Sequence, residues 1–575
     1  LDDCVMAQQQ QNITVSAPGF QGLNTEDSPL QQDPGFAVVA DNAVVDKFGR
    51  IGSRKPWTEF TTAVNVTYSA AAGVADTQIK THRLGNGDIN GVTYVLATVG
   101  VYQYNASGSL LQDDYFICKL TTSSGPVYEL DEISYPTLIN DSALADAKIV
   151  SFNDKMYVFS AGNECLEYDG STLVKLFTGT NDVDYIKPQD DSGTIAAAIN
   201  GDVAAAAYGR LWVSGVNGDY QTIYYSDLLI ATQWYDGRAV PADAQNTGGI
   251  LNVNEYWPRG TDRIVGIVAH NNALFIMGRQ SILVYNNAAS GDPAGTDGIV
   301  LADTISGIGC VNRDAIANIG SDVLFVDDSG VRSIGRTIQE KSAPLNDLTS
   351  NVRRDITDII ALTADKTTIS LSYWPDENLT VVNFSNDLQA FAIEMRAPSV
   401  TGGNKVTRWT NTVWERAMYY EIDGEARVLL ASSASDYGCL LYEDGLNYNN
   451  QPFEFKYESN SFTFGQPANF KFIKQIDFTV VSTLTDAQAY AGWGYSGRLD
   501  YTKALTITAQ APALYNVAYF NQDDEYGPGL TTIRRYRVNA KGSGESVIIG
   551  FRTEVNGNTC SLQEINVQTL IGRII

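Results

Sequence analysis

Seven short runs rich in Val, Leu, Ile, Phe and Tyr recur along this chain, at residues 93–99, 155–160, 210–215, 273–278, 323–327, 379–384 and 427–432. Their starts lie about 48 to 63 residues apart, at and beyond the upper end of the spacing of kelch-like repeats. Several are followed by a turn and a second run, at 164–168, 222–226 and 282–285, with turn residues such as Asn153, Asp154, Asp169, Gly170, Asn271 and Asn272 between or after them. The pattern is that of repeated β-hairpins. One hairpin buries too little apolar surface to stand alone, whereas six or seven arranged radially protect one another's edges. The expected architecture is a mainly β fold, a six- or seven-bladed β-propeller over residues 76–446; a pair of β-sandwiches would give similar alternation.

Both flanks differ from this array. Residues 1–75 form an N-terminal segment ending in the small-residue linker 69–75, and residues 447–575 form a C-terminal β-sandwich-like domain expected to pack with it. Strands are predicted there at 453–457, 470–481, 504–508, 532–538, 546–553 and 562–569. Within the array, Leu345, Leu348, Val352, Ile356 and Ile359 fall at helical spacing. They predict an inserted amphipathic helix with Asn346 and Asp347 as its N-cap and Arg353 and Arg354 on the opposite face.

Charge and cysteine usage narrow the partners. With 39 Lys and Arg against 66 Asp and Glu, the formal charge is -27. Such a surface repels phosphate backbones and anionic lipid, so stable nucleic-acid or membrane binding is not expected, although DNA could slide past an acidic wall without sticking. Six cysteines, from Cys4 to Cys560, show no paired spacing and read as buried thiols made in a reducing cytoplasm. No stretch reaches the roughly 18 apolar residues that cross a bilayer, and the N-terminus lacks signal-peptide character. Met6 fits a translation start better than Leu1 does.

Catalytic patterns are scarce. Residues 402–406 lack the loop length and the Ser or Thr of a phosphate-binding loop, and Gly307 and Gly309 are followed by Asn312 where a dinucleotide fingerprint needs Gly. Only His82 and His270 are available for a triad or a metal site. Residues 86–91 begin like a calcium loop, but the twelfth position is Ala97 where a bidentate Glu is required, so a hairpin is expected. Adjacent carboxylates at 113–114, 190–191, 327–328 and 523–525 point to opposite faces of a strand and read as solvated turns rather than a glycosidase pair. Arg534, Arg535 and Arg537 form the densest basic patch; pairing with acidic groups of the same domain or of a neighbouring subunit is expected, with phosphate binding second. No enzyme activity, cofactor or metal is expected.

Residues 19–57 carry the most distinctive text: Gly22, Leu23, Asn24, Thr25, Ser28 and Pro29, then Ala40, Asn42, Val45, Asp46, Gly49 and Arg54. This spacing resembles the opening of the tail nozzle proteins of short-tailed bacteriophages, also called tail tubular protein B. Tyr224, Tyr225, Ser226 and Asp227 with Trp234, and the close of the chain from Leu562 to Arg573, resemble the same family. The resemblance implies a structural virion protein, assembled in the host bacterial cytoplasm into a homohexameric ring at the far end of the tail. It also implies contacts to a tail adaptor and to tail fibres, and transient passage of double-stranded DNA during ejection. Asn24, Glu26 and Ser28 would be contact surface, Asn42 and Arg54 the scaffold beneath, and Arg534 and Arg535 a further assembly patch. Two other classes stay open: a propeller-type glycan-degrading depolymerase and a receptor-binding adhesin.

Overall fold

The computed structural model describes residues 9–122, 127–177, 199–234, 247–288, 298–340, 347–422, 424–434, 437–482, 486–507 and 532–572. Each of the seven apolar runs lies in the second strand of a separate antiparallel sheet. These strands are Val92–Tyr104, Lys155–Phe159, Arg210–Val216, Ala273–Gly278, Val323–Asp327, Leu379–Phe384 and Glu425–Ser432. The first strands, Asp76–Ile89, Lys148–Phe152, Val203–Ala207, Ile264–His270, Ile316–Asn318, Ile369–Trp374 and Trp414–Ile422, neighbour one another in chain order, and the seventh packs back on the first. That closure makes a seven-bladed β-propeller rather than a pair of sandwiches.

Burial explains why the second strands were conspicuous. Such a strand has a sheet neighbour on each side and an adjacent blade on each face, and Arg210–Val216, Ala273–Gly278, Val323–Asp327 and Leu379–Phe384 are buried throughout. Strands covered on both faces read as unbroken apolar runs. The first four hairpins turn through two residues that both have positive φ: Asn90 and Gly91, Asn153 and Asp154, Tyr208 and Gly209, Asn271 and Asn272. This is the turn whose twist suits adjoining strands. Residues 86–91 are thus a hairpin tip, with Asp88 accepting from the Thr93 hydroxyl at 2.6 Å.

The ring closes with a strand from before the first blade. Trp57–Glu59 pairs with Cys439–Tyr442, Trp57 opposite Tyr442, as the outer strand of the seventh blade. Thr61–Asn65 joins the outer edge of the first blade, parallel to Tyr128–Glu132. The propeller therefore takes in chain from Trp57, ahead of residue 76, where the sequence suggested that it begins. A ring whose ends are stitched this way cannot open without losing a strand pairing and the apolar contacts under it.

Two sheets stack beyond the propeller. One orders Thr532–Asn539, Lys471–Ser482, Cys560–Ile571, Ile51–Ser53 and Ala43–Val45, with Gln9–Ser16 also paired along Cys560–Ile571. The other contains Phe36–Asp41, Phe453–Ser459, Val547–Val555, Ala487–Tyr495 and Arg498–Ile507. Phe478 of the first meets Phe551 of the second at 5.7 Å between ring centroids. Ala487–Tyr495 was missed in the sequence because Gly492 and Gly494 interrupt it.

Among the described residues, two α-helices lie between the fifth and sixth blades: α1 (Ile334–Glu340) and α2 (Arg353–Leu362). The expected helix begins later than its apolar spacing suggested, since Ser350–Val352 forms a 3-10 turn. Ile356 and Ile360 are its buried positions. Leu345 and Asn346 lie outside the described residues, and Asp347 is buried and paired with Arg353 at 2.7 Å instead of capping. Cys118, Cys165, Cys310, Cys439 and Cys560 are buried free thiols.

Candidate functional site

The residues of the 19–57 stretch converge on the seam between propeller and sandwich. The sixth blade continues through Phe36–Asp41 into the second sandwich sheet, so ten strands form one hydrogen-bonded surface. Asp41 is opposite Arg408 in a parallel bridge, and the two side chains pair at 2.7 Å. Gly22, at φ 80°, lies so close to the Val406 carbonyl that a Cβ would stand 2.6 Å from its oxygen. Only glycine meets both demands.

Asn42 and Arg54 lock this seam. Asn42 is buried at φ 50°. Its amide donates to the Glu454 carbonyl at 2.8 Å and to Thr410 Oγ1 at 3.0 Å, and its Oδ1 accepts from the Thr410 backbone at 3.0 Å and from Arg54 Nε at 3.1 Å. Arg54 is fully enclosed, its guanidinium carbon 3.9 Å from the ring centroids of both Trp57 and Phe453. Burial pushes its pKa down, to about 9, against the opposing pull of Tyr442. Trp57 also meets Trp409 and Trp414 at 5.7 and 6.0 Å, so the closing strand is anchored in an aromatic cluster of the sixth and seventh blades.

The other expected assembly residues separate into interior and surface. Asn24 is 1% exposed and shapes its own turn, Oδ1 accepting from the backbone of Glu26 and Asp27 at 3.1 Å each; it is no contact surface. Glu26 is exposed, yet its carboxylate accepts from the backbone N–H of Arg354. That supplies an acceptor and a negative charge to the start of α2, which lacks a side-chain cap of its own. Ser28, Pro29 and Leu30 are exposed. At the far end, Arg535 and Arg537 flank the buried Asp477 at 2.9 and 3.1 Å, so Arg535 finds its acidic partner within its own domain. Arg534 is half-buried on the opposite face of the same strand. Tyr224 to Asp227 and Trp234 are buried in the third blade, Ser226 Oγ accepting from the Leu211 backbone, while Leu228, Leu229 and Ile230 between them are exposed.

A second polar concentration, not anticipated from the sequence, surrounds the propeller axis. The inner strands enclose a cavity of about 530 Å³, left open where Gly85, Ala147, Ala204 and Ala417 face it. Arg83, Lys148, Arg313, Asp314 and Arg416 line it. Asp314 Oδ2 lies 3.3 Å from Arg416 and 3.6 Å from Arg83, and Oδ1 lies 3.4 Å from Lys148. Burial alone would raise the Asp314 pKa, but Lys148, Arg416, Arg83 and Arg313 prevail and hold it far below the usual carboxylate range. The guanidinium groups are held from outside the cavity: Arg313 by Asp202 at 2.8 Å and Asp146 at 3.0 Å, and Arg83 also by Asp146. Glu415 lies 2.9 Å from His82 Nδ1, and His82 Nε2 meets Tyr102 at 2.8 Å. Burial works against the Glu415 charge, yet His82, Arg83 and Arg416 bring its pKa below normal. The lumen wall is thus locally cationic, in contrast to the net charge of the chain.

The paired carboxylates have separate local partners. Asp113 accepts from Tyr115, Asp114 from Gln112, Asp327 pairs with Arg332 and Asp328 with Arg279. Residues 190–191 and 523–525 lie outside the described residues. Among the described residues, no group of three or more His, Cys, Asp or Glu side chains is placed to hold a metal.

No protein-family model and no curated protein matches the chain. Solved structures with partial likeness include an exo-β-1,3-galactanase from Phanerochaete chrysosporium, at TM-score 0.23 and 9% identity over 73% of this chain and 95% of that one. An ancestral GH74 enzyme matches at TM-score 0.25 and 9% identity, over 71% and 51%. The periplasmic gluconolactonase of Pseudomonas aeruginosa matches at TM-score 0.26 and 10% identity, over 62% and 88%. Likeness at this level says nothing of substrate or activity. The propeller is established by the strand pairing of the chain itself.

Proposed function

We propose that this chain is a structural virion protein, the ring-forming nozzle subunit at the distal end of a short phage tail. The observation that best supports this is the ten-stranded sheet running from the sixth blade into the sandwich, pinned by Asn42 and Arg54. It fuses two bodies that would otherwise be joined by a hinge, as suits a part that transmits load between an adaptor and tail fibres. Within residues 19–57, Gly22, Asn42 and Arg54, which carry part of the family resemblance, meet at this seam, and this links that part of the resemblance to a mechanical role. In this reading DNA leaves through the bore between copies, because a lumen of about 530 Å³ within each propeller is far too small for a duplex. The exposed Ser28 to Leu30 edge belongs to the contact surface, and catalysis has no part.

Electron microscopy and native mass spectrometry of the purified chain, alone and with adaptor protein, test this directly. Closed rings are expected, with no release of reducing sugar from host glycans. A chain that stays monomeric with adaptor present would overturn it. One groove favours a second reading: about 830 Å³ between the first and seventh blades, lined by Asp88, Tyr94, Tyr128, Tyr420 and Glu421. Aromatic faces beside carboxylates suit a saccharide, and hydrolysis or saturable glycan binding abolished by Glu421→Gln would favour the depolymerase or adhesin instead.

A further inference from the structure

We propose that the mouth of the propeller lumen is a binding site for a compact oxyanion of the phosphate class. The cavity wall carries four cations, Arg83, Lys148, Arg313 and Arg416, against one anion, Asp314. The remaining carboxylates of the network, Asp146, Asp202 and Glu415, do not line the cavity. They pair with the guanidinium groups beside the wall, so the network balances as a whole and the excess of cations is confined to the residues that line the cavity.

Hydrogen-bonding capacity points the same way. The side chains of Arg83, Arg313 and Arg416 are only 8, 6 and 9% exposed, and the Nε–H of each has no hydrogen-bond partner among the described residues. Buried charged donors are ordinarily satisfied; Arg83 Nε faces Asp314 Oδ2 at 3.6 Å, and the Nε–H groups of Arg313 and Arg416 mark places for an acceptor. Water could occupy one such place, but it adds no charge. Access exists, because the side chain of Lys148, on the cavity wall, is 34% exposed. A chain with a formal charge of -27 repels anions at long range, so an anion held here must be gripped at close quarters. The enclosed volume suits a small ion or a phosphorylated small molecule and excludes a nucleic-acid strand wrapped in its counterions.

The test uses the full chain and inorganic phosphate, titrated calorimetrically at constant ionic strength set with chloride. One saturable site per chain is expected, with sulfate competing. Lys148→Gln removes a partly exposed cation that pairs with Asp314, and should weaken binding about tenfold while leaving the fold intact. Asp314→Asn removes the one anion of the wall and should tighten phosphate binding about tenfold, an effect that a purely structural ion network does not produce. Heat that tracks ionic strength instead of phosphate would overturn the proposal, as would unchanged affinity in Lys148→Gln. Ring assembly is unaffected by either outcome, so this site and the nozzle role fail independently.

Discussion

Asn42 Oδ1 accepts from Arg54 Nε at 3.1 Å inside the seam where the sixth blade becomes part of the sandwich. Asn42 and Arg54 are both buried, so solvent cannot readily replace the bond between them. Asn42→Ala strands the Glu454 carbonyl, the Thr410 N–H and Arg54 together and places a Cβ residue without local hydrogen bonding at φ 50°. A loss of about 4 kcal/mol in urea unfolding is expected, from three groups each at the low end of about 1–3 kcal/mol, since two of their bonds are only partly buried, plus about 1 kcal/mol of backbone strain. A shift below about 0.5 kcal/mol, the size usual for surface substitutions, would show that the seam is not locked here.

Arg54 offers a separate test, since its charge is held by ring faces and no carboxylate bonds to it among the described residues. Arg54→Lys keeps the charge but loses the planar stack on Trp57 and Phe453, and should cost about 2 kcal/mol. Arg54→Ala also opens a cavity, and about 4 kcal/mol is expected. Near-equal melting temperatures for the two variants would contradict the stacking account.

The Asp314 cluster makes stability depend on acid. Its folded pKa is depressed, so the unfolded chain binds the proton more readily, and the stabilisation is full above the unfolded pKa of about 3.9. As pH falls below that value the unfolded state gains protons first and stability declines. Glu415, also depressed, adds to the same slope. Asp314→Asn should cost about 3 to 5 kcal/mol at neutral pH by leaving four cations without their shared anion, and should flatten the melting temperature against pH below about 4. An unaltered slope in this variant would assign the acid sensitivity elsewhere.

For the contact surface, point variants are sharper than deletion. Removing residues 24–34 would also break the Thr25 to Asn351 backbone bond and the bonds from Asn460 to the carbonyls of Gln32 and Asp33. Ser28→Arg touches no such contact. Stability should stay within about 0.5 kcal/mol while rings are lost by native mass spectrometry. Intact rings in this variant would remove Ser28 from the interface.

Much of the propeller was legible because burial writes itself into local sequence. The second strand of every blade is covered on both faces, so its apolar run survives whatever the neighbouring loops contain. Asn-Asn and Asn-Gly turns were equally visible, since positive φ at two successive positions restricts the residues that fit. The start of α2 was misplaced because its N-terminal acceptor is Glu26, far away in the chain, and no local cap marks it.

By itself, the sequence determined the repeat, the number of buried central strands and the positions of several turns, all set by interactions within a few tens of residues. Only the tertiary structure decided which charged residues would meet. Arg83, Lys148, Arg313, Asp314 and Arg416 come from four different blades or their approaches and look like isolated surface charges until the ring closes. The same holds for Asn42 and Arg54, whose partners at Thr410, Phe453 and Glu454 lie more than 350 positions away. Local periodicity reports how well a strand is covered; closure of the ring decides what covers it.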